Sequence, residues 1–131
     1  MNTILLVENQ PLIRNAFCSE LVARYNLLEA SSASKALDIC RDHREIDVLI
    51  CEMDLGLVSG MELASLLRAW LPKLRTILAC DLSCDCWSNR QEAELAELPA
   101  DDVFILEKPF TARELLMALT NVMEREVVGV A

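Results

Sequence analysis

The chain is short of basic charge, of histidine and of long apolar runs, and each shortage excludes a class of function. With 12 Lys and Arg against 21 Asp and Glu, the formal charge is −9. Direct binding to nucleic-acid phosphates or anionic lipid is therefore disfavoured. No stretch approaches the roughly 20 apolar residues of a membrane span, which points away from a membrane. The start, MNTILLVEN, has neither a basic leader nor a cleavage site, so the expected location is cytoplasmic. The single histidine, His43, falls at an expected helix end, where a solvated cap is a simpler role than metal ligation. No repeat, low-complexity tract or linker interrupts the pattern.

What is present suits one globular domain over residues 1–131. Hydrophobic residues make up 53% and charged ones 25%, enough to bury roughly two thirds of the surface exposed by the unfolded chain. The 6 cysteines read as thiols of a reducing compartment. Cys18, Cys40 and Cys51 lie inside apolar stretches and are most simply small core residues.

Thr3 to Val7 is an apolar, β-branched run stopped by Glu8-Asn9, as expected of a buried strand. Pro11 then suits the first turn of a helix to about Arg24, with Leu12, Ile13, Ala16, Phe17 and Leu21 at helical spacing. Asn26 to Glu29 is a weak, edge-like strand, and Ser31, Ser32 and Ser34 are cap candidates for a helix carrying Ala36, Leu37 and Cys40. Val48 to Cys51 is a third strand that ends on Glu52 and Asp54 before the loop LGLVSG. Ser59 and Glu62 form a capping-box pattern for a helix through Trp70, with Leu63, Leu66, Leu67 and Trp70 along one side and Pro72 as its stop.

Thr76 to Ala79 is the fourth strand, ending at Cys80-Asp81. A fourth helix is expected from about Trp87 to Leu98, and Val103 to Leu106 is the fifth strand, ending at Glu107-Lys108-Pro109. Thr111 and Glu114 make a second capping box for a last helix with Leu115, Leu116, Leu119 and Met123 on its buried side. Alternating strands and helices call for a parallel sheet covered on both faces by right-handed crossovers. In such a sheet the strand C-termini share one edge, so Glu8, Asn9, Glu52, Cys80 and Lys108 converge although they are scattered in sequence.

ILLVEN near the start, DVLICEMDLGLVSGMEL in the middle and FILEKPFTARELL near the end together resemble the receiver domain of response regulators in two-component phosphorelays. The resemblance covers essentially the whole chain and implies a flavodoxin-like (βα)5 fold with strand order 2-1-3-4-5. It implies further that an acidic pair after the first strand holds Mg²⁺ and that an Asp after the third accepts a phosphoryl group from a histidine kinase. A Thr or Ser after the fourth strand and a Lys after the fifth would contact the phosphoryl oxygens. The physics is plain: an anionic nucleophile facing an anionic phosphoryl group needs a cation on one side and an ammonium on the other.

Carried over by position, most of the set departs from that pattern. The acidic pair is Glu8-Asn9, the acceptor position is Glu52, and the Thr/Ser position is Cys80. Lys108 with Pro109 is retained, and the family's Lys-Pro bond is typically cis. The backbone carbonyl of Asp54 falls where the family completes the metal site, and Ile105 takes the place of a switch aromatic, with Phe104 one position early. The interval from Cys80 to Lys108 is also several residues longer than usual, which implies an altered fourth loop and helix.

Glu in place of Asp moves the carboxylate out by about one bond, a displacement of the order that can cost about a hundredfold in rate. Loss of one carboxylate weakens a hard-cation site, so Mg²⁺ binding is expected to be impaired. The longer Glu52 is expected to reach Lys108 and imitate a phosphoryl contact. The favoured reading is an atypical receiver, a non-enzymatic signalling module working through a histidine kinase, an effector protein or a homodimer formed by its fourth and fifth helices. A second reading keeps phosphorylation, on Glu52 or Asp54. A third makes Cys80, Cys84 and Cys86 a redox or soft-metal sensor, although Asp81 and Asp85 would raise their thiol pKa values. The chain is expected to be a stand-alone receiver or part of a longer regulator.

Overall fold

The computed structural model describes residues 2–80, 93, 96 and 102–130, the side chains of 124–130 excepted. The apolar runs become strands β1 (Thr3–Val7), β2 (Asn26–Ala30), β3 (Val48–Glu52), β4 (Arg75–Cys80) and β5 (Val103–Glu107). Between and after them lie helices α1 (Pro11–Leu21), α2 (Ala33–Asp42), α3 (Gly60–Arg68) and α4 (Ala112–Val130). These are the four helices among the described residues; the helix expected over about 87–98 lies almost wholly outside them, and α4 is the expected last helix. None of the described helices is long and apolar enough to cross a membrane.

All strand pairs are parallel, in the order β2-β1-β3-β4-β5. This is the (βα)5-type order expected, with the weak Asn26 strand at one edge. Successive side chains of a strand point to opposite faces, so each central strand feeds two cores. Leu5, Leu49 and Leu78 pack with Leu63 and Leu67 on the face covered by α2 and α3. Ile4, Leu6, Ile50 and Ile77 pack with Leu21, Leu115 and Leu119 on the face covered by α1 and α4. Each such side chain contributes about 1.5–3 kcal/mol relative to leaving it in water.

The caps form where the sequence places them. Ser32 Oγ accepts from Lys35 N at 3.2 Å and Ser59 Oγ from Glu62 N at 3.1 Å. Thr111 and Glu114 close a full box, with backbone-to-side-chain bonds of 3.1 Å in both directions. Two helix faces are corrected. In α3, which ends at Arg68 rather than Trp70, the buried residues are Gly60, Met61, Leu63, Ala64 and Leu67, while Leu66 is 51% exposed and Trp70, past its end, 40%. In α1, which ends at Leu21 rather than Arg24, Leu12 is 86% exposed. In both, the face that meets the sheet is rotated from the one that leucine spacing suggests.

Candidate functional site

The C-terminal ends of β1, β3, β4 and β5 bring Glu8, Glu52, Cys80 and Lys108 to one edge of the sheet. Parallel strands accumulate their C-termini on one side, so this convergence follows from topology alone. Three of the four are buried, Glu8 at 3%, Glu52 at 8% and Cys80 at 5% exposure. Asn9 is exposed, and so is Asp54.

Local hydrogen bonds hold each piece. Glu8 is tied by its backbone N–H to Ala30 O at 3.1 Å, and its Oε1 accepts from Gln10 N at 3.0 Å. Arg14 Nη1 donates to Glu8 O at 2.9 Å, and Arg14 Nε lies 3.6 Å from Glu29. Lys108 N donates to Cys80 O at 2.7 Å, which fixes the start of the loop after β5; the Lys108-Pro109 bond is cis. After β3, Met53 N donates to Ala79 O at 2.9 Å and Gly60 N to Met53 O at 2.7 Å. The Asp54 carboxylate turns back onto Gly56 N at 3.0 Å, and Gly56 takes a φ of 96°, which glycine adopts without strain.

The central contact is an ion pair between Lys108 Nζ and Glu52 Oε1. Glu52 also hydrogen-bonds the carboxyl of Glu8. Burial, then the Glu8 hydrogen bond, push the Glu52 carboxyl up to about 7, while Lys108 pulls the other way.

The donor set does not fit a resident Mg²⁺. This ion needs several hard oxygens in octahedral array, whereas one oxygen of Glu52 is committed to an ammonium and Glu8 Oε1 accepts from Gln10 N. Asn9 and the Asp54 carboxylate lie in solvent. Among the described residues no group of three or more His, Cys, Asp or Glu side chains could hold a metal ion.

The model of the response regulator receiver domain matches residues 4–120. The chain belongs to the response regulator receiver family. Among curated relatives, the heme response regulator HssR of Staphylococcus saprophyticus is 28% identical over 132 residues, 99% of this chain and 55% of its own length. The transcriptional regulatory protein KdpE of Mycobacterium tuberculosis is 27% identical, with 98% of this chain and 54% of the relative covered. The receiver thus spans about half the length of the curated relatives it matches.

The signal receiver domain of an HD domain-containing protein from Pseudomonas fluorescens Pf-5 superposes with a TM-score of 0.78 at 26% identity, over 97% of this chain and 98% of that one. The chemotaxis protein CheY4 of Vibrio cholerae shares the fold, with a TM-score of 0.78 at 23% identity over 93% and 98% of the two chains.

In this receiver the structure brings together Glu8, Glu52, Cys80 and Lys108, and leaves Asn9 and the Asp54 side chain at the rim. Ile105 is half-buried, and Phe104 packs in the core beneath α4. Cys84 and Cys86 lie outside the described residues. Sequence reasoning missed Arg14 and Gln10, which set the position of Glu8. The only signal was the place of Arg14 on the polar side of α1, six residues after Glu8, and that spacing has many uses.

Proposed function

We propose that this receiver signals with little or no phosphorylation of its own, through protein-protein contacts in a two-component pathway. The observation that carries the reading is the Glu52–Lys108 ion pair. In phosphoryl transfer an ammonium serves by holding the transferring oxygens. Here the side chain at the acceptor position already holds that ammonium, and the carboxylate is a bond longer than the family's. Asn9 supplies a neutral amide where a second carboxylate would face a cation, and the Cys80 thiol is a weak hydrogen-bond partner where a hydroxyl is expected. In the family Mg²⁺ supplies charge neutralisation; Glu8, Glu52 and the Asp54 carbonyl occupy those positions in this chain.

On this reading the pair imitates the contact that a phosphoryl group would make, and the receiver works as an interaction module rather than as a catalyst. Its partners are a histidine kinase, a downstream effector, or a second copy through the helices that follow β4 and β5. The test is incubation with a kinase or acetyl phosphate and Mg²⁺, followed by mass measurement of the intact protein. The expected product is unmodified protein; stoichiometric acyl-phosphate label overturns the reading.

One observation favours a second acceptor over none: Asp54, unlike Glu52, has an exposed carboxylate. Label that survives in Asp54→Asn excludes it. The cysteine-sensor reading rests on Cys80, which is buried at the end of β4, and on Cys84 and Cys86, which lie outside the described residues. Thiol reactivity unchanged by peroxide would remove that reading.

A further inference from the structure

A pocket of about 420 Å³ opens at the N-terminal ends of β3 and β4, the edge of the sheet opposite the Glu52–Lys108 pair. It lies between the loop that leads from α2 to β3 and the loop that leads from α3 to β4. Ile46, Leu71 and Leu74, all buried, give it an apolar base. The volume lies within the range of small-molecule sites, which combine apolar walls with a few fixed polar groups.

The fixed polar group here is Arg44. Its guanidinium lies over the Trp70 ring, 5.1 Å from the centroid, and its Nε donates to Arg41 O at 3.4 Å. Stacking and that bond hold the planar group by one face and one edge, which leaves the two terminal nitrogens as a fork for a pair of oxygens. The other lining charges sort by partner. The Asp47 carboxylate accepts from Thr3 N at 2.8 Å, Glu45 lies 3.4 Å from the His43 ring, and Arg75 pairs with Asp102 at 3.8 Å. Arg44 and Lys73 make no ion pair among the described residues. We propose that the pocket binds a small organic anion, its carboxylate or phosphate-like group on the Arg44 fork with Lys73 as a second cation, and its apolar body on Ile46, Leu71 and Leu74. With two carboxylates on the same lining the site is no general anion trap, so recognition depends on the fork and the apolar base together.

The probes are phenylacetate and phenylphosphonate, with inorganic phosphate as the bare anion and phenethylamine as a cation of similar shape. Amide and indole NMR signals of the whole chain are followed; since no phosphodonor is present, the outcome does not depend on whether the receiver is phosphorylated. Saturable shifts over residues 44–48 and 70–75 and at the Trp70 indole N–H are expected with the two organic acids. The tighter of the two tells whether the group on the fork is a carboxylate or phosphate-like. Affinity should fall about tenfold in Arg44→Met and by a smaller factor in Lys73→Met. Both side chains are exposed, so the variants keep the fold. Absence of saturable shifts with both acids, shifts centred elsewhere, unchanged affinity in either variant, or inorganic phosphate or the amine bound as tightly as the acids overturns the proposal.

Discussion

Glu52 is pulled in two directions, toward a neutral acid by burial and by Glu8, and toward a carboxylate by Lys108. Its pKa is higher in the folded chain, about 7, than the ordinary 4.5. The proton therefore binds the folded state more tightly, so its stabilising contribution is full below about pH 4.5 and is lost as the pH rises through about 7. Against Glu52→Gln, which has no such titration, the wild type should lose stability in urea unfolding between about pH 5 and about pH 8. A difference that stays flat or grows with pH would contradict the raised pKa of Glu52. If the Glu8–Glu52 pair does not accept Mg²⁺, millimolar Mg²⁺ should leave the Glu52 titration midpoint, read by carboxyl NMR, unmoved. A fall in the midpoint would show the cation entering the pair. That these residues converge was legible, since each ends an apolar run. The raised pKa of Glu52 was not, because it depends on burial and on how near Glu8 and Lys108 come to it.

At the scale of elements, α3 is locked onto β3 by Gly60. A Cβ there would collide with the backbone carbonyl oxygen of Glu52 and lie 3.0 Å from the Leu78 side chain. Gly60→Ala should therefore cost about 1–3 kcal/mol in urea unfolding, as overpacking does, and disturb the acceptor strand with it. Thr111→Ala removes the Thr111 Oγ1 half of the α4 box, leaving the backbone N–H bond to Glu114, and should cost about 1 kcal/mol. The cost should not depend on phosphodonor, since the box lies outside the ion pair. This locking also explains what sequence could not resolve. Leu63, Leu66, Leu67 and Trp70 keep helical spacing as well as Gly60, Met61, Leu63, Ala64 and Leu67 do, and only contact with the end of β3 chooses between the two faces. Leu12 has the same origin: its spacing fits the stripe of α1, but its side chain lies in solvent. The boxes at Ser59 and Thr111, by contrast, were legible because capping is local chemistry.

For the whole molecule, the strand order follows from alternating apolar runs and right-handed crossovers, and the family match over residues 4–120 places the chain among receivers. The family's fold and strand order are retained here. In a chain of net charge −9, the Lys108 ammonium is paired with Glu52 at the C-terminal edge of the sheet. The central claim is that the Glu52–Lys108 pair already imposes the arrangement that a phosphoryl group would otherwise bring. Its most direct test is the amide NMR spectrum of the whole chain before and after addition of acetyl phosphate with Mg²⁺. The account predicts that signals from residues 8–10, 52–54 and 104–110 stay where they are. A shift of those signals together to a second set, with acyl phosphate on the protein, would contradict it.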